Sequence, residues 1–248
     1  MNKHRTPAAV VLAAVVAAAL AAPPAQGQDD VPDTKLSTSA KAFPSKAGTK
    51  KRPRGLKIRA SARIDVEPGY EPPIVTGVDI LVGRGFAWNA DRFVKCTKRT
   101  LDQRGPDGCP KQSIMGAAKI TARADTIFTH PDMVFVNAGW KRTLAYTTLY
   151  RPALVRETII VKRTKVPGRR WSHRESLRVP RTLQVVAGVP IQLVSARLEI
   201  GGKRYARDYI ASTSCPRGGW RYRVTAYYLF ATDARGEDTV DGSIPCRR

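Results

Sequence analysis

Residues 56–66 read Leu56-Lys57-Ile58-Arg59-Ala60-Ser61-Ala62-Arg63-Ile64-Asp65-Val66, with apolar residues at every second position and polar or charged ones between. Side chains of a strand point alternately to its two faces, so a period of two predicts a half-buried β-strand. The alternation returns in Ile74, Thr76, Val78, Ile80 and Val82, in Gln192, Val194, Ala196, Leu198 and Ile200, and in Trp220, Tyr222, Val224, Ala226, Tyr228 and Phe230. Shorter β-branched or aromatic runs fill the gaps at Met133 to Val136, Leu144 to Tyr150, Thr158 to Val161 and Tyr205 to Ile210. Turn dipeptides punctuate them: Pro68-Gly69, Gly83-Arg84-Gly85, Asp107-Gly108, Ala138-Gly139, Pro167-Gly168, Gly201-Gly202, Gly218-Gly219 and Asp241-Gly242. With no helical stripe in this region, the pattern predicts one all-β domain over 56–248, an antiparallel β-sandwich or open barrel.

Upstream of that domain the texture differs. Lys3 and Arg5 precede Ala8–Ala22, an uncharged Ala/Val/Leu run, and the small residues Ala25 and Gly27 follow. This layout is that of a signal peptide over 1–27, cut after Gly27, so that the mature chain is secreted. The run is shorter than the roughly 20 residues of a spanning helix, and the competing reading is an uncleaved anchor. No integral membrane span is expected in the mature chain. Residues 28–55 hold Asp29, Asp30, prolines, glycines and the basic cluster Lys46, Lys50, Lys51, Arg52 and Arg54, with Phe43 as the only aromatic. Such a composition predicts a disordered basic linker.

Four cysteines allow three pairings. Cys96 and Cys109 enclose the turn at 105–108, and Cys215 and Cys246 enclose the aromatic strand and the last hairpin, so the local pairs are expected in an oxidising compartment. Each closure contributes roughly 3 to 4 kcal/mol in the loop-entropy account.

Several motifs carry a resemblance. Val78-Asp79-Ile80, Gly85-Phe86-Ala87-Trp88-Asn89, Phe93-Val94-Lys95-Cys96 and Gly105-Pro106-Asp107-Gly108-Cys109-Pro110-Lys111-Gln112-Ser113-Ile114-Met115-Gly116 follow one another in order. Cys215-Pro216, Trp220, Asp241-Gly242 and Pro245-Cys246 close the chain. In these motifs it resembles uncharacterised secreted disulfide-bonded β-proteins of high-GC Gram-positive bacteria. The resemblance implies a fold and an exported life; it implies no activity.

Chemistry is sparse. No nucleophile elbow, zinc-binding helix motif, phosphate-cradling loop or dinucleotide fingerprint occurs, so no catalytic residue, cofactor or metal is expected and the protein is read as non-enzymatic. His130-Pro131-Asp132 could set an imidazole beside a carboxylate, although the proline more simply marks a turn. Asp65, Glu67, Asp79, Asp91, Asp125 and Glu157 are nominal acids for a rival reading as a secreted hydrolase of envelope glycans or esters. A second rival is a structural module that packs with other proteins through Trp88 and Trp140.

Charge is the strongest signal. Forty-three Lys and Arg against 20 Asp and Glu give +23, on a composition otherwise ordinary for a folded chain. The expected partners are therefore anionic polymers, whether wall polymer, nucleic acid or sulfated glycan, bound electrostatically by a monomer. Arg170, Ser172, Arg174, Ser176 and Arg178 alternate on one strand face opposite Trp171, Leu177 and Val179, while Lys162, Arg163 and Lys165 stand across the Pro167-Gly168 turn. This hairpin is predicted to carry a cationic line with a spacing of about 7 Å, twice the rise per strand residue.

Overall fold

A computed structural model describes residues 31–248, so the expected signal peptide lies outside the described residues. The chain runs through β1 (Thr34–Phe43), β2 (Arg54–Gly55), β3 (Lys57–Val66), β4 (Ile74–Gly83), β5 (Phe86–Trp88), helix α1 (Lys98–Arg104), β6 (Ile114–Ala124), β7 (Ile127–Thr129) and β8 (Asp132–Asn137). It continues through β9 (Arg142–Leu149), β10 (Val155–Lys165), β11 (Trp171–Arg178), the short helix α2 (Arg181–Gln184), β12 (Val185–Val186), β13 (Val189–Gly201), β14 (Ile210–Ser212), β15 (Trp220–Leu229) and β16 (Arg235–Ile244).

One antiparallel sheet takes the order β1-β3-β13-β6-β8-β9-β10-β11-β4-β15-β16, with β7 and β12 paired at its margins. Of the two architectures expected, the open barrel is the one formed. Its first and last strands lie side by side. The seam between them is crossed by side chains: Asp238 accepts from the Leu36 amide at 2.7 Å and Thr38 meets the Tyr222 hydroxyl at 3.4 Å. A carboxylate on the edge amide leaves less of that edge open to another strand.

The linker expectation fails over residues 34–55. Strand β1 pairs with β3 over ten residues, from Thr34 opposite Val66 to Phe43 opposite Lys57. Its inward row, Leu36, Thr38, Ala40 and Ala42, continues the inward row Ile58, Ala60, Ala62 and Ile64 of β3, and Leu36 and Ala42 are buried. Small and polar residues at every second place hid a period of two that needed β3 beside it to be stable.

Both disulfides form as expected, Cys96–Cys109 and Cys215–Cys246, with Cα separations of 5.6 and 5.8 Å. They lie at one end of the barrel, called here the disulfide end. There β2, β14 and β5 make a small sheet that plugs the mouth with Tyr209, Ile210 and Met115. Helix α1 begins at Thr97, whose hydroxyl accepts from the Thr100 amide, and buries Leu101 with Cys96 and Cys109 on the outer face of β8 and β9. The opposite end is stopped by Leu183 of α2 and by Phe230.

Candidate functional site

The predicted cationic line is broken up by the fold. A register shift between Trp171 and His173 marks a bulge at Ser172. The bulge turns Trp171 toward the cations, where Arg170 and Arg223 lie 4.9 and 5.8 Å from its ring centre. Arg170 reaches Asp241 at 3.5 Å, and Arg223 holds the same carboxylate through two bonds of 2.8 and 2.7 Å. Arg178 pairs with Asp79 at 2.8 Å and covers Tyr227. That cation and the neighbouring hydroxyls outweigh burial and hold the Asp79 carboxyl below its usual range. Lys162, Lys165 and Arg174 have no carboxylate partner among the described residues.

Arg163 departs furthest from expectation. It is 3% exposed, inside the barrel. Its Nε donates to Glu175 at 2.5 Å, one terminal nitrogen to the Trp140 carbonyl at 2.8 Å and the other to Thr143 at 3.3 Å. The guanidinium lies 4.2 Å over Trp88, which meets His173 and Tyr209 edge-on. Trp88 is therefore half-buried at the barrel mouth, with its ring facing Arg163. Burial pushes the Glu175 carboxyl up while Arg163 pulls it back, and burial beside Arg163 lowers His173 to about 4.

Directly above this buried cluster lies a cleft of about 910 Å³ lined by Asp91, Lys95, Ala138 to Arg142 and Lys165. Its floor is the turn between β8 and β9, with Trp140 as the indole wall and Lys165 Nζ 5.6 Å from the ring centre. Gly139 takes φ 100°, which a side chain would resist, and the end of the Lys95 side chain lies alongside this turn. Asn137, fully buried, donates to the carbonyls of Ala90, Phe93 and Val94 at 2.9 to 3.1 Å and accepts from the Gly139 amide at 3.0 Å. One amide side chain thus joins the loop bearing Asp91 and Lys95 to the turn bearing Trp140. Lys95 is also tied by sequence to Cys96, whose amide donates to Asn137.

Four cations, Lys95, Lys141, Arg142 and Lys165, therefore share a cleft with a single acid, and that acid is paired with Lys95 at 2.9 Å. Of the six expected polyanion contacts only Lys165 lines the cleft. Lys162 stands opposite Arg142 in the ladder and extends the charge outward. Lys95, Lys141 and Arg142 were not read from sequence, although Trp140 beside Ala138-Gly139 marked the turn that carries two of them.

The ends of the barrel differ sharply in charge. At the disulfide end the connections 44–56, 84–113, 138–141, 166–170, 202–219 and 245–248 hold 21 Lys or Arg against 4 Asp or Glu. At the opposite end, residues 31–33 and the connections 67–73, 125–126, 150–154, 179–188 and 230–234 hold 2 against 5.

Among the described residues, the nominal acids are mostly dispersed over the surface. Asp132 is paired with Lys119 and Tyr150, while His130 is exposed. A crevice of about 240 Å³ does bring Glu71 and Asp125 together. Both Glu71 oxygens are occupied there, by Arg123 at 2.6 Å and Gln192 at 2.8 Å. Among the described residues no group of three His, Cys, Asp or Glu is placed to hold a metal, and no helix is long and apolar enough to cross a membrane. Comparison with family models, with curated proteins and with solved structures found no match.

Proposed function

We propose that this protein is an exported, non-enzymatic β-barrel that holds anionic polymers of an envelope or its surroundings at the disulfide end, with the Trp140 cleft as the tightest contact. The observation that carries this reading is the charge division between the two ends, 21 basic and 4 acidic residues against 2 and 5. A field of one sign at one end steers a polyanion to that end and speeds its capture. Within the field, the cleft gathers cations around a rigid turn, Lys141 on the turn and Arg142 and Lys165 on the strands that frame it, so less backbone freedom is lost on binding. Two disulfides and the N-terminal run of apolar residues fit export to an oxidising compartment.

Titration with heparin and with inorganic polyphosphate tests it. Binding is expected at about 50 mM salt and falls steeply as salt rises, because bound anions release counterions. Changing Lys141, Arg142 and Lys165 together to Ser lowers the slope of log K against log salt by about 2 to 3, at just under one per lost contact. The triple change Arg170→Ser, Arg174→Ser, Arg178→Ser has a smaller effect, since two of those guanidiniums already have carboxylates. No binding at low salt, or equal losses from both triples, overturns the reading.

A further inference from the structure

The end opposite the disulfides has its own chemistry. Eight large hydrophobic residues are exposed, and six of them, Val31, Tyr70, Ile127, Phe128, Tyr150 and Leu154, lie at this end. The ladder fixes that placement: Thr34 pairs with Val66, Ala124 with Ile191, and Leu149 with Val155, so the connections at these points emerge together. Phe128, in the short strand β7, and Leu154, on the connection between β9 and β10, are 60% and 57% exposed. Tyr150 reaches Asp132 with its hydroxyl at 3.4 Å, which keeps its ring beside the strand that leads from Phe128. Single exposed apolar residues are ordinary, whereas a ring of them around one mouth of a barrel marks an interaction surface.

We infer that this rim inserts its exposed apolar side chains into the surface of a lipid bilayer. The chain itself points to that occupant. Val31 stands at the rim and follows the apolar run Ala8–Ala22 by eight residues, which span at most about 30 Å when fully extended. While the run is attached, the rim is thus the part of the fold nearest the membrane that the run enters. A second copy joined rim to rim would bring five acidic residues against five, with two basic ones on each side. Aromatic and aliphatic tips suit the boundary of headgroups and acyl chains, where the hydrophobic gain does not depend on salt. The barrel then stands with its basic end directed away from the membrane, toward the polymers proposed above.

Flotation of the exported protein, recovered from the medium, with phosphatidylcholine vesicles in about 0.5 M NaCl isolates this contact, because neutral lipid and high salt silence the basic end. The protein is expected to float. Phe128→Ser with Leu154→Ser weakens partitioning by up to about 100-fold, about tenfold for each exposed side chain. Phe43→Ser with Val94→Ser, the two exposed hydrophobics of the disulfide end, leaves it unchanged and serves as the control for folding and general stickiness. Absence of flotation, or equal losses from the two pairs, overturns the inference. So does a dimer in sedimentation that the Phe128 and Leu154 changes dissolve, which would give the rim to a second copy. Heparin binding is read separately, so its loss bears on the polymer site alone.

Discussion

Replacing Glu175 by Gln isolates the ion pair at the heart of the barrel. Arg163 and Glu175 are 3% and 6% exposed, and the Arg163 guanidinium is sandwiched between that carboxylate and the Trp88 ring. Gln keeps the shape and can still accept one bond, but it leaves a guanidinium without a counter-charge in the interior. Arginine does not escape by losing its proton at any ordinary pH. Breaking a buried pair from one side costs about 3 to 5 kcal/mol, and the expected loss at neutral pH lies near the lower figure because one bond survives. Arg163→Met differs, since the abandoned Glu175 can take up a proton, a response that its upward shift already favours. The double variant Arg163→Met, Glu175→Leu removes both charges and recovers most of the loss, within about 1 to 2 kcal/mol of the parent. Urea unfolding followed by tryptophan emission reads these proteins together with Glu175→Leu, the single variant that closes the cycle and gives the coupling. A single-variant loss below about 1 kcal/mol, or a double variant as weak as the sum of the singles, would refute the claim that this pair is dry and mutually dependent.

Two further outcomes follow from the same geometry. His173 is held to about 4 by burial and by Arg163, below its unfolded value near 6.5, so the folded state resists its protonation. Stability from this group is complete above about pH 6.5 and declines as pH falls toward about 4, by roughly 3 kcal/mol, in urea midpoints taken across that window. His173→Asn should flatten the decline, and an unchanged profile would assign it elsewhere. Reduction of both disulfides removes about 3 kcal/mol for the 13-residue closure and about 4 for the 31-residue one. Because Lys95 adjoins Cys96, Cys96→Ser with Cys109→Ser should also weaken heparin binding, whereas Cys215→Ser with Cys246→Ser should lower stability with less effect on it.

Strand content was legible wherever large apolar residues alternated with charges, as in 56–66 and 220–230, because each face then declares its solvent. Strand β1 was not, since Thr38, Ala40 and Ser39 declare nothing until Ala60, Ala62 and Ser61 stand opposite them. The disulfides were legible from hairpin logic alone. The choice between a sandwich and a barrel was not, because it depends on β11 returning to β4 and β13 to β3, pairings that no local pattern encodes.

The same reasoning explains why the number of charges on the basic hairpin was legible and their directions were not. In β10 the run Thr158-Ile159-Ile160-Val161 is apolar on both faces, because α1 and its disulfide cover the outside, so parity could not tell whether Arg163 points in or out. Once Ile159 and Val161 face the barrel interior, Arg163 must follow them, and it then needs Glu175 opposite. The hairpin that looked most basic is thereby the one whose arginines are most fully spent: on Glu175 inside, and on Asp79 and Asp241 outside. Cations still available for a ligand at the cleft are Lys141 on its connection and Arg142 and Lys165 on the strand ends that frame it, where no neighbouring strand offers a carboxylate in register. For that reason the proposed binding end is marked better by where turns fall than by the densest run of arginine, and the turn at Ala138-Gly139, between a buried asparagine and a buried guanidinium, carries Lys141 and leads into Arg142.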